Sequence, residues 1–530
     1  MEARLTPILH ALPYALRGVS TAEIPFNAVG QIVLPSSVPL PLATVLQSIC
    51  EPCVLYRALD TSLKRYNPHG LLMQALFSSI RESLRSYLAF TSEVETQCMQ
   101  PGFNLAAAQS VLLEPCIYLR LFHYILKQCT SNRNIHVLSI VWEFTNHGDP
   151  LVASYAQELF LAVNEPFERI KQEWENLGSL QLDLFDEFYV SQVGNEKRLT
   201  LIDRKIPIGV MSTEEIERSF QRGVAMYFIR EVCDDLEFFG TGKTFTQIVE
   251  HSRQLLVENN QLMLHLRGLR DYMLLANGDF VDSLFRNDTS NFLMRPVVDV
   301  PNYQASEFFL TAIGDTKQVE EDPLISGAVD AKVLGIDKGA AGIQLWEALV
   351  GIYHIDSKPI SRVVDAGAME IYERCFALLW RVRFSVQSLN RSSGYLRNLA
   401  REIQLDHADF NALLNMHAEM TQTFLTLQTR LYYNVIEKEW LALHDLVHKP
   451  ETLTIVQIKQ AHEAYLGEIA AVAGNPAHFK IIDASTKEAL ALESTLDRLL
   501  VGNELNEFKS DLDHLKASVY PTIVKLMQLM

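Results

Sequence analysis

The sequence lacks several features that would indicate a membrane, secreted or nucleic-acid-binding protein. It has no run of eighteen or more apolar residues, so no membrane-spanning helix is predicted. Its first residues mix acidic, basic and helix-breaking types, which is not typical of a secretory signal. Basic residues are outnumbered, with 46 Lys and Arg against 64 Asp and Glu, and the formal net charge is -18. No general nucleic-acid-binding surface is expected, because such surfaces need clustered Lys and Arg.

Cysteine is also scarce. The 530 residues contain 7 cysteines at scattered positions, which argues against a disulfide framework and for a reducing compartment. Cys50 and Cys53 form a C-x-x-C pair, but Cys98 comes next and no second pair follows. A structural zinc site would need two more ligands at suitable spacing. We interpret these cysteines as ordinary thiols at apolar positions, with zinc or redox chemistry at the pair as the alternative.

A phosphate-binding loop is suggested by the stretch FFGTGKTFTQ, but one of its glycines is missing. The motif requires G-x-x-x-x-G-K-[ST]. If Gly242 is the second glycine, the first should stand at the position of Glu237, a carboxylate where polyphosphate would approach. The preceding residues have apolar side chains at helical spacings, whereas the motif should follow a strand. We interpret the glycines as a turn between two helices, the second starting near Thr244, with a functional phosphate loop as the alternative.

Catalytic motifs are absent as well. The histidines and cysteines form no recognisable metal cluster or nucleophile motif in the sequence. We therefore predict neither enzymatic activity nor a cofactor or metal.

Helical periodicity dominates what the sequence does contain. The clearest case is one face of a straight helix of more than six turns, with apolar residues three or four positions apart: Leu413, Met416, Met420, Phe424, Leu427, Leu431 and Val435. Similar patterns recur at 69–90, 109–129, 153–174, 367–389 and 486–508. Strand patterns are few; residues 196–208 could form a short arm or hairpin, and residues 314–342 suggest an irregular insertion or mobile loop.

The length and the helical patterns predict an all-α fold with two consecutive helical-bundle domains forming an elongated scaffold. We place the domains at 1–265 and 266–530, because each part has enough amphipathic helix for its own core. The stretch VENNQLMLH before Leu266 is not a flexible Gly/Ser linker, so a rigid joint is expected.

Three segments, at 266–285, 346–389 and 413–440, carry a set of aromatic, basic and glycine residues: Arg270, Tyr272, Gly278, Asp279, Phe280, Trp346, Trp380, Phe424 and Trp440. In this order they resemble the gamma-tubulin complex component family, the GRIP-motif proteins. The resemblance is greatest to the component 3 class, with component 2 as the alternative. The chain begins almost directly at the first helix, without the long N-terminal extension of many component 3 proteins. These residues are expected to be mostly structural, and Gly278-Asp279 is expected to form a helix-ending turn.

The resemblance implies a non-enzymatic scaffold that binds gamma-tubulin and templates microtubule nucleation at minus ends. Its N-terminal domain would pack against a sister component of the component 2 class and other ring subunits, and its C-terminal domain would carry one gamma-tubulin. It would lie in the cytoplasm, at a microtubule-organising centre such as a spindle pole or centrosome. Neither nucleic-acid binding nor membrane insertion is implied. Candidate gamma-tubulin contacts are Arg381, Arg383, Tyr432 and Tyr433, although the two arginines could instead form internal ion pairs.

Two other functions remain open from the sequence. The first is a helical tethering or adaptor scaffold without tubulin binding. The second is a nucleotide hydrolase, which would require the incomplete phosphate loop to work.

Overall fold

A computed structural model gives the fold of the chain. It describes residues 2–27, 30–34, 40–100, 102–131, 136–193, 198–232, 242–288, 291–316, 323–334, 342–402, 407–449, 453–502 and 505–529. The chain divides into two compact units. Unit 1 is Met1–Arg230 with Asp235–Gly242, and unit 2 is Glu231–Asp234 with Lys243–Met530.

Unit 1 is a bundle of helices followed by one hairpin. Its elements, in chain order, are α1 (Glu2–Leu16), α2 (Leu40–Ile49), α3 (Glu51–Arg65), α4 (Leu71–Cys98), α5 (Leu105–Ser131), α6 (Val137–Thr145), α7 (Pro150–Leu177), strands β1 (Val190–Val193) and β2 (Arg198–Leu201), and α8 (Thr213–Val232). The strands pair antiparallel, with Val190 opposite Leu201. The hairpin expected near 196–208 is therefore confirmed.

The packing of α7 against α8 shows how unit 1 is built. Asp149 caps the start of α7 by accepting a hydrogen bond from the N–H of Leu151, and Gly178 ends the helix with a φ of 59°. Trp174 in the last turn is fully buried. It packs on Gly223 of α8, where an added Cβ would lie 1.9 Å from the indole. A side chain at 223 would separate the two helices.

Unit 2 begins with short helical pieces that include two π-helical segments. These elements are α9 (Phe245–Arg253), π1 (Gln254–Asn259), α10 (Leu262–Gly268), π2 (Leu269–Met273), α11 (Gly278–Asn287), α12 (Asn302–Gly314), α13 (Pro323–Ala328), β3 (Val329–Val333), α14 (Leu345–Ala348), β4 (Leu349–Tyr353) and α15 (Lys358–Ser361).

Long helices complete unit 2. They are α16 (Ala366–Glu402), α17 (His407–Thr429), the π-helical segment π3 (Arg430–Glu437), α18 (Lys438–His448), α19 (Ile455–Ala473), α20 (Pro476–Gly502) and α21 (Leu505–Met527). The all-α class is confirmed, because the strands named so far form only two short two-stranded sheets within the described residues.

The core of unit 2 is aromatic. The Trp346 and Phe384 rings stack 5.2 Å apart, and Phe285 stacks on Trp380 at 5.5 Å. The indole N–H of Trp380 donates a 3.0 Å hydrogen bond to the carbonyl of Trp346. Tyr272 and Phe280 meet edge to face and are both buried, as are Phe424 and Trp440. Most of the aromatic residues that carry the family resemblance thus lie in packed positions.

The helix at 413–435 departs from the predicted straight form. Its first six stripe residues, Leu413 to Leu431, are buried as expected. Val435, however, is only partly buried, and Ile436 takes its place in the core. The cause is π3, whose wider turn holds one extra residue and shifts the stripe by one position. The expectation for Val435 was therefore wrong.

The turn at Gly278 also differs from the expectation. Gly278 is the first residue of α11 rather than the end of a helix, and the side chain of Asn277 caps α11 by accepting from the N–H of Phe280. The left-handed residue of this turn is Leu275, with a φ of 53°. Gly278 has open space around its Cβ position, so no close contact requires glycine there.

The segment 314–342 is partly regular. Residues 317–322 and 335–341 lie outside the described part of the chain. The residues between them contain α13 and β3, which pairs antiparallel with β4, Val329 lying opposite Tyr353. This second pair of strands was not predicted from the sequence, because each strand has only five residues and the two are far apart in the chain.

The stretch FFGTGKTFTQ is described only from Gly242 onward, and Glu237, Gly240 and Thr241 lie outside the described residues. Thr244 forms a capping box with Gln247 at the start of α9. The expectation that a helix starts at Thr244 is confirmed. A hydroxyl engaged in capping is a sufficient structural reason for threonine at this position.

Among the described residues, helix α5 is long and apolar enough to cross a membrane by length and composition alone. This is weak evidence, since the core helix of a soluble protein passes the same test.

Six free cysteines are described, all of them buried, while Cys233 lies outside the described residues. No group of three or more His, Cys, Asp and Glu in the described ranges could hold a metal ion.

Candidate functional site: an exposed face of the α17–π3 helix

Arg381 lies inside unit 2. Its side chain is only 7% exposed, and its Nε donates a 2.6 Å hydrogen bond to Oδ1 of Asp483. One Nη donates to the carbonyl of Glu347 at 3.0 Å, and the guanidinium lies 4.4 Å from the ring centre of Phe479. In this conformation the guanidinium joins α16 to α20 through an internal ion pair.

Arg383 lies two residues after Arg381 in α16, and its side chain supports the backbone at Leu275. Its Nη2 donates a 3.1 Å hydrogen bond to the carbonyl of Leu275, the residue with the left-handed conformation. A positive φ is strained for leucine, and this bond helps to hold it. The guanidinium also lies 4.1 Å from the ring centre of Tyr432, which is the geometry of a cation–π contact.

Tyr432 and Tyr433 are neighbours in π3 but occupy different environments. Tyr432 packs beneath the Arg383 guanidinium, and burial raises the pKa of its hydroxyl. The Tyr433 side chain is 71% exposed. Of the four candidate contact residues, Tyr433 is therefore the one whose side chain points mainly into solvent.

A second arginine contacts the end of π3. Arg270, in π2, lies 3.5 Å from a carboxylate oxygen of Glu437 at the end of π3. Its guanidinium also sits 4.7 Å from the ring centre of Trp440. Arg270 and Arg383 thus hold π3 at two points. These two contacts fix the position from which Tyr433 projects. π-Helical segments are rare and frequently occur at functional sites.

The solvent side of the helix forms a weakly charged surface. Between Phe410 and Ile436 the charged residues are Glu419 and Arg430, although a fifth of the whole chain is charged. The following uncharged side chains are exposed on this side: Leu414, Gln422, Leu425, Thr426, Thr429, Tyr433 and Asn434. We call this set the α17–π3 face.

The end of α21 adjoins this face. Helices α17 and α21 pack against each other, and Nη1 of Arg430 donates to the carbonyl of Leu529 at 3.3 Å. Val524 and Met527 on α21 are exposed. This hydrogen bond holds the exposed Arg430 side chain against the residues that follow α21.

Tyr433 was predicted from the sequence, but Leu414 and Leu425 were not. Each directly follows a core residue, Leu413 or Phe424, so the apolar periodicity does not reveal that these two leucines are exposed. The available signal was the low density of charged residues over more than twenty positions, which is unusual for a solvated helix face. The surface suits contact with another protein, since interface cores are depleted in charge and enriched in aromatic residues.

Fold and surface together define an all-α protein of two units, one of which exposes a weakly charged helical surface. Two family models match the chain: Gamma tubulin complex component N-terminal over residues 9–311, and Gamma tubulin complex component C-terminal over residues 262–526. The chain belongs to the gamma-tubulin complex component family.

Individual relatives are distant. The chain is 23% identical over 527 residues to spindle pole body component alp6 of Schizosaccharomyces pombe, covering 87% of this chain and 62% of that protein. It is 24% identical to gamma-tubulin complex component 3 of Homo sapiens, covering 78% of this chain and 49% of that protein. It is 21% identical to spindle pole body component SPC98 of Saccharomyces cerevisiae, covering 74% of this chain and 51% of that protein. The chain therefore spans about half to three fifths of the length of these relatives.

Proposed function

We propose that this chain is a non-enzymatic subunit of a gamma-tubulin complex and that unit 2 binds gamma-tubulin through the α17–π3 face. The observation that carries the proposal is the exposed Tyr433 on a weakly charged helix surface held by Arg270 and Arg383. Family membership supplies the partner, and the names of the relatives supply the cellular setting.

The physical properties of the face favour a protein partner. A surface with few charges loses little hydration energy when it is covered. A tyrosine with two rotatable side-chain bonds gives a large contact area at low entropic cost. In this proposal Tyr433 contacts gamma-tubulin directly, Arg383 and Tyr432 position π3, and Arg381 acts only through the packing of α16 on α20.

We further propose a division of roles along the chain. Residues 1–265 would pack against a sister component of the component 2 class, and residues 266–530 would carry gamma-tubulin. An array of such subunits would hold gamma-tubulins as a template for microtubule nucleation at minus ends. Holding them in place removes part of the orientational entropy cost of forming the nucleus. The complex would act in the cytoplasm at a microtubule-organising centre, such as a spindle pole or centrosome.

The experiment that tests this function uses the intact chain and purified gamma-tubulin. Sedimentation velocity of the mixture should show a complex larger than either protein alone. A mixture that sediments as two separate species, at micromolar concentrations of both, would reject gamma-tubulin binding. It would leave the alternative of a helical adaptor that tethers other proteins.

A further inference from the structure

Two of the 15 histidines lie close together at the end of α18. The segment 444–448 reads HDLVH, and residues four apart in a helix lie on the same face. Three residues of α18 are buried: Trp440, Leu443 and Val447. The His444 side chain, by contrast, is 44% exposed, and His448 is exposed. Both imidazoles are therefore within reach of a dissolved ion, and we call His444 and His448 the α18 histidine pair.

The spacing of this pair is one that metal sites use. In the zinc-binding motif H-E-x-x-H, two histidines four residues apart on one helix face bind the ion together. The glutamate of that motif serves as a general base, and Asp445 stands in its place here with a shorter side chain. The α18 segment thus shares the two ligands of the motif, and no catalytic step follows from the likeness.

The two rings are close enough to share an ion. Their centres lie 4.1 Å apart, and their planes are inclined by 26°. Zinc–nitrogen bonds are about 2.0–2.1 Å long, so a tetrahedral ion holds two ligand nitrogens roughly 3–4 Å apart. Small rotations about the side-chain bonds bring the ring nitrogens to that spacing, and the helix itself does not have to move.

A backbone hydrogen bond already orients one of the two rings. Nδ1 of His448 lies 2.9 Å from the carbonyl oxygen of His444. Because a carbonyl oxygen only accepts, Nδ1 carries the proton and donates it, which leaves the lone pair of a neutral imidazole on Nε2. Histidines that bind metals commonly donate their other ring N–H to a backbone carbonyl in this way. The Nε2 atom of His448 is thus prepared as a ligand.

The charge near the pair also favours a cation. Oδ1 of Asp445 lies 3.7 Å from Nδ1 of His444, which places a negative charge beside that ring and leaves its Nε2 on the other side. Lys449 follows His448 in the chain and adds one opposing charge. The chain as a whole carries a net charge of -18, which attracts divalent cations to its surface.

The ligand type and number indicate the class of ion. Imidazole nitrogen suits zinc, copper and nickel, whereas magnesium and calcium prefer oxygen ligands. A closed structural zinc site has four protein ligands, and within the described ranges no group of three or more His, Cys, Asp and Glu could hold a metal ion. Two imidazoles therefore form an open site, in which water fills the remaining positions and the ion exchanges with solvent.

We propose that the α18 histidine pair binds one divalent transition-metal ion of the zinc type through the two Nε2 atoms. The bound ion links two successive turns at the end of α18. The unfolded chain does not hold the two imidazoles at this spacing, so the ion binds the folded chain preferentially and stabilises it. This inference is independent of gamma-tubulin binding.

The test uses the full chain and Zn²⁺ alone as the probe, measured by isothermal titration calorimetry. Removing one of the two ligands, in His444→Gln or His448→Gln, should weaken binding at this site by at least the roughly tenfold that loss of an outer partner of a metal ligand costs. Zinc bound elsewhere, for example by cysteines, remains in every variant, so the difference from wild type isolates the pair. Mg²⁺ should not bind at the pair.

The matched control is His514→Gln in α21. His514 is exposed and follows Asp513, but the residues four positions away on either side are Ser510 and Ser518. It therefore has the neighbouring carboxylate without a second histidine, and the control should bind Zn²⁺ like wild type. Zn²⁺ should also raise the thermal midpoint of wild type and of the control by more than that of either pair variant.

Three results would overturn the proposal. The first is an equal Zn²⁺ affinity and stoichiometry in wild type and both pair variants. The second is a loss in His448→Gln but not in His444→Gln, which would mean that a single imidazole binds the ion. The third is an equal loss in His514→Gln, which would mean nonspecific binding to surface histidines. If His444→Gln fails to fold, the comparison of His448→Gln with the control decides, because the His448 side chain is exposed.

Discussion

Single residues show where side-chain volume decides the packing of this protein. Gly223 and Gly278 make the clearest pair, because both lie in helices and only one is enclosed. An added Cβ at 223 would lie 1.9 Å from the Trp174 indole, whereas nothing lies within 4 Å of one at 278.

Opposite effects are expected from the same substitution at these two glycines. Gly223→Ala should lower the free energy of unfolding by about 1–3 kcal/mol, because it overpacks the α7–α8 contact. Gly278→Ala should be neutral or stabilise by about 0.4–1 kcal/mol, because alanine restricts the unfolded chain. Chemical denaturation of both variants checks this. A stable Gly223→Ala protein would contradict the described packing of Trp174.

Phe424 and Leu425 make a second pair, adjacent in α17. Phe424 is fully buried while Leu425 is exposed. Phe424→Ala should cost about 3–5 kcal/mol of stability through lost burial and a cavity. Leu425→Ala should change stability by only about 0.5 kcal/mol, as for other surface sites. Thermal unfolding of the two variants measures the difference, and similar midpoints would mean that the helix is rotated from the orientation described here.

A buried histidine gives unit 2 a pH dependence. Burial lowers the pKa of His462 from an ordinary 6.5 to about 4, and its Nε2 lies 3.1 Å from the Tyr372 hydroxyl. Between pH 6.5 and about pH 4, His462 binds a proton in the unfolded chain but not in the folded chain. The contribution of His462 to the free energy of unfolding is therefore fully present above pH 6.5. It is lost as the pH falls toward 4, and the total loss is roughly 3 kcal/mol.

The variant His462→Gln should show a shallower loss of stability between pH 6.5 and 4 than wild type. Urea unfolding at several pH values within this range measures the slope. His136 in unit 1 also has a pKa lowered to about 4 by burial, so some dependence should remain in the variant. An unchanged slope would show that His462 is accessible to protons in the folded state.

Among the secondary-structure elements, those with long regular patterns were predictable and the interrupted ones were not. The stripe from Leu413 to Leu431 is buried as its spacing predicts, but the register changes at Ile436 because π3 holds an extra residue. A π-helical turn has no sequence signature comparable to apolar periodicity. The five-residue strands β3 and β4 were missed for the related reason that they are too short to show alternation.

The start of α9 allows a test of capping against nucleotide binding. Thr244 and Gln247 form a reciprocal capping box. Thr244→Ala should destabilise the protein by about 1 kcal/mol through loss of the cap, and neither this variant nor wild type should bind ATP or GTP. Isothermal titration with both nucleotides checks the second point. Binding that disappears in Lys243→Ala would restore the phosphate-loop alternative.

For the whole molecule, the family could be recognised from the sequence, but the residues of the candidate contact surface could not all be identified from it. Arg381 stands next to Trp380 in a basic stretch, and only the structure shows its guanidinium inside the α16–α20 contact. Tyr432 and Tyr433 are identical in type and adjacent in sequence. Their exposure differs because consecutive residues of a helix face different sides, and Arg383 packs on Tyr432 while Tyr433 points into solvent.

The proposed function of unit 2 depends on contact between gamma-tubulin and Tyr433 with its surroundings. The most direct measurement is the affinity of the intact chain for purified gamma-tubulin, compared between Tyr433→Ala and Tyr303→Ala. Tyr303 is a suitable control because it is 66% exposed on α12 of the same unit. We expect roughly tenfold or greater weakening for Tyr433→Ala and an unchanged affinity for Tyr303→Ala. If Tyr433→Ala binds gamma-tubulin with wild-type affinity, the α17–π3 face is not the binding site.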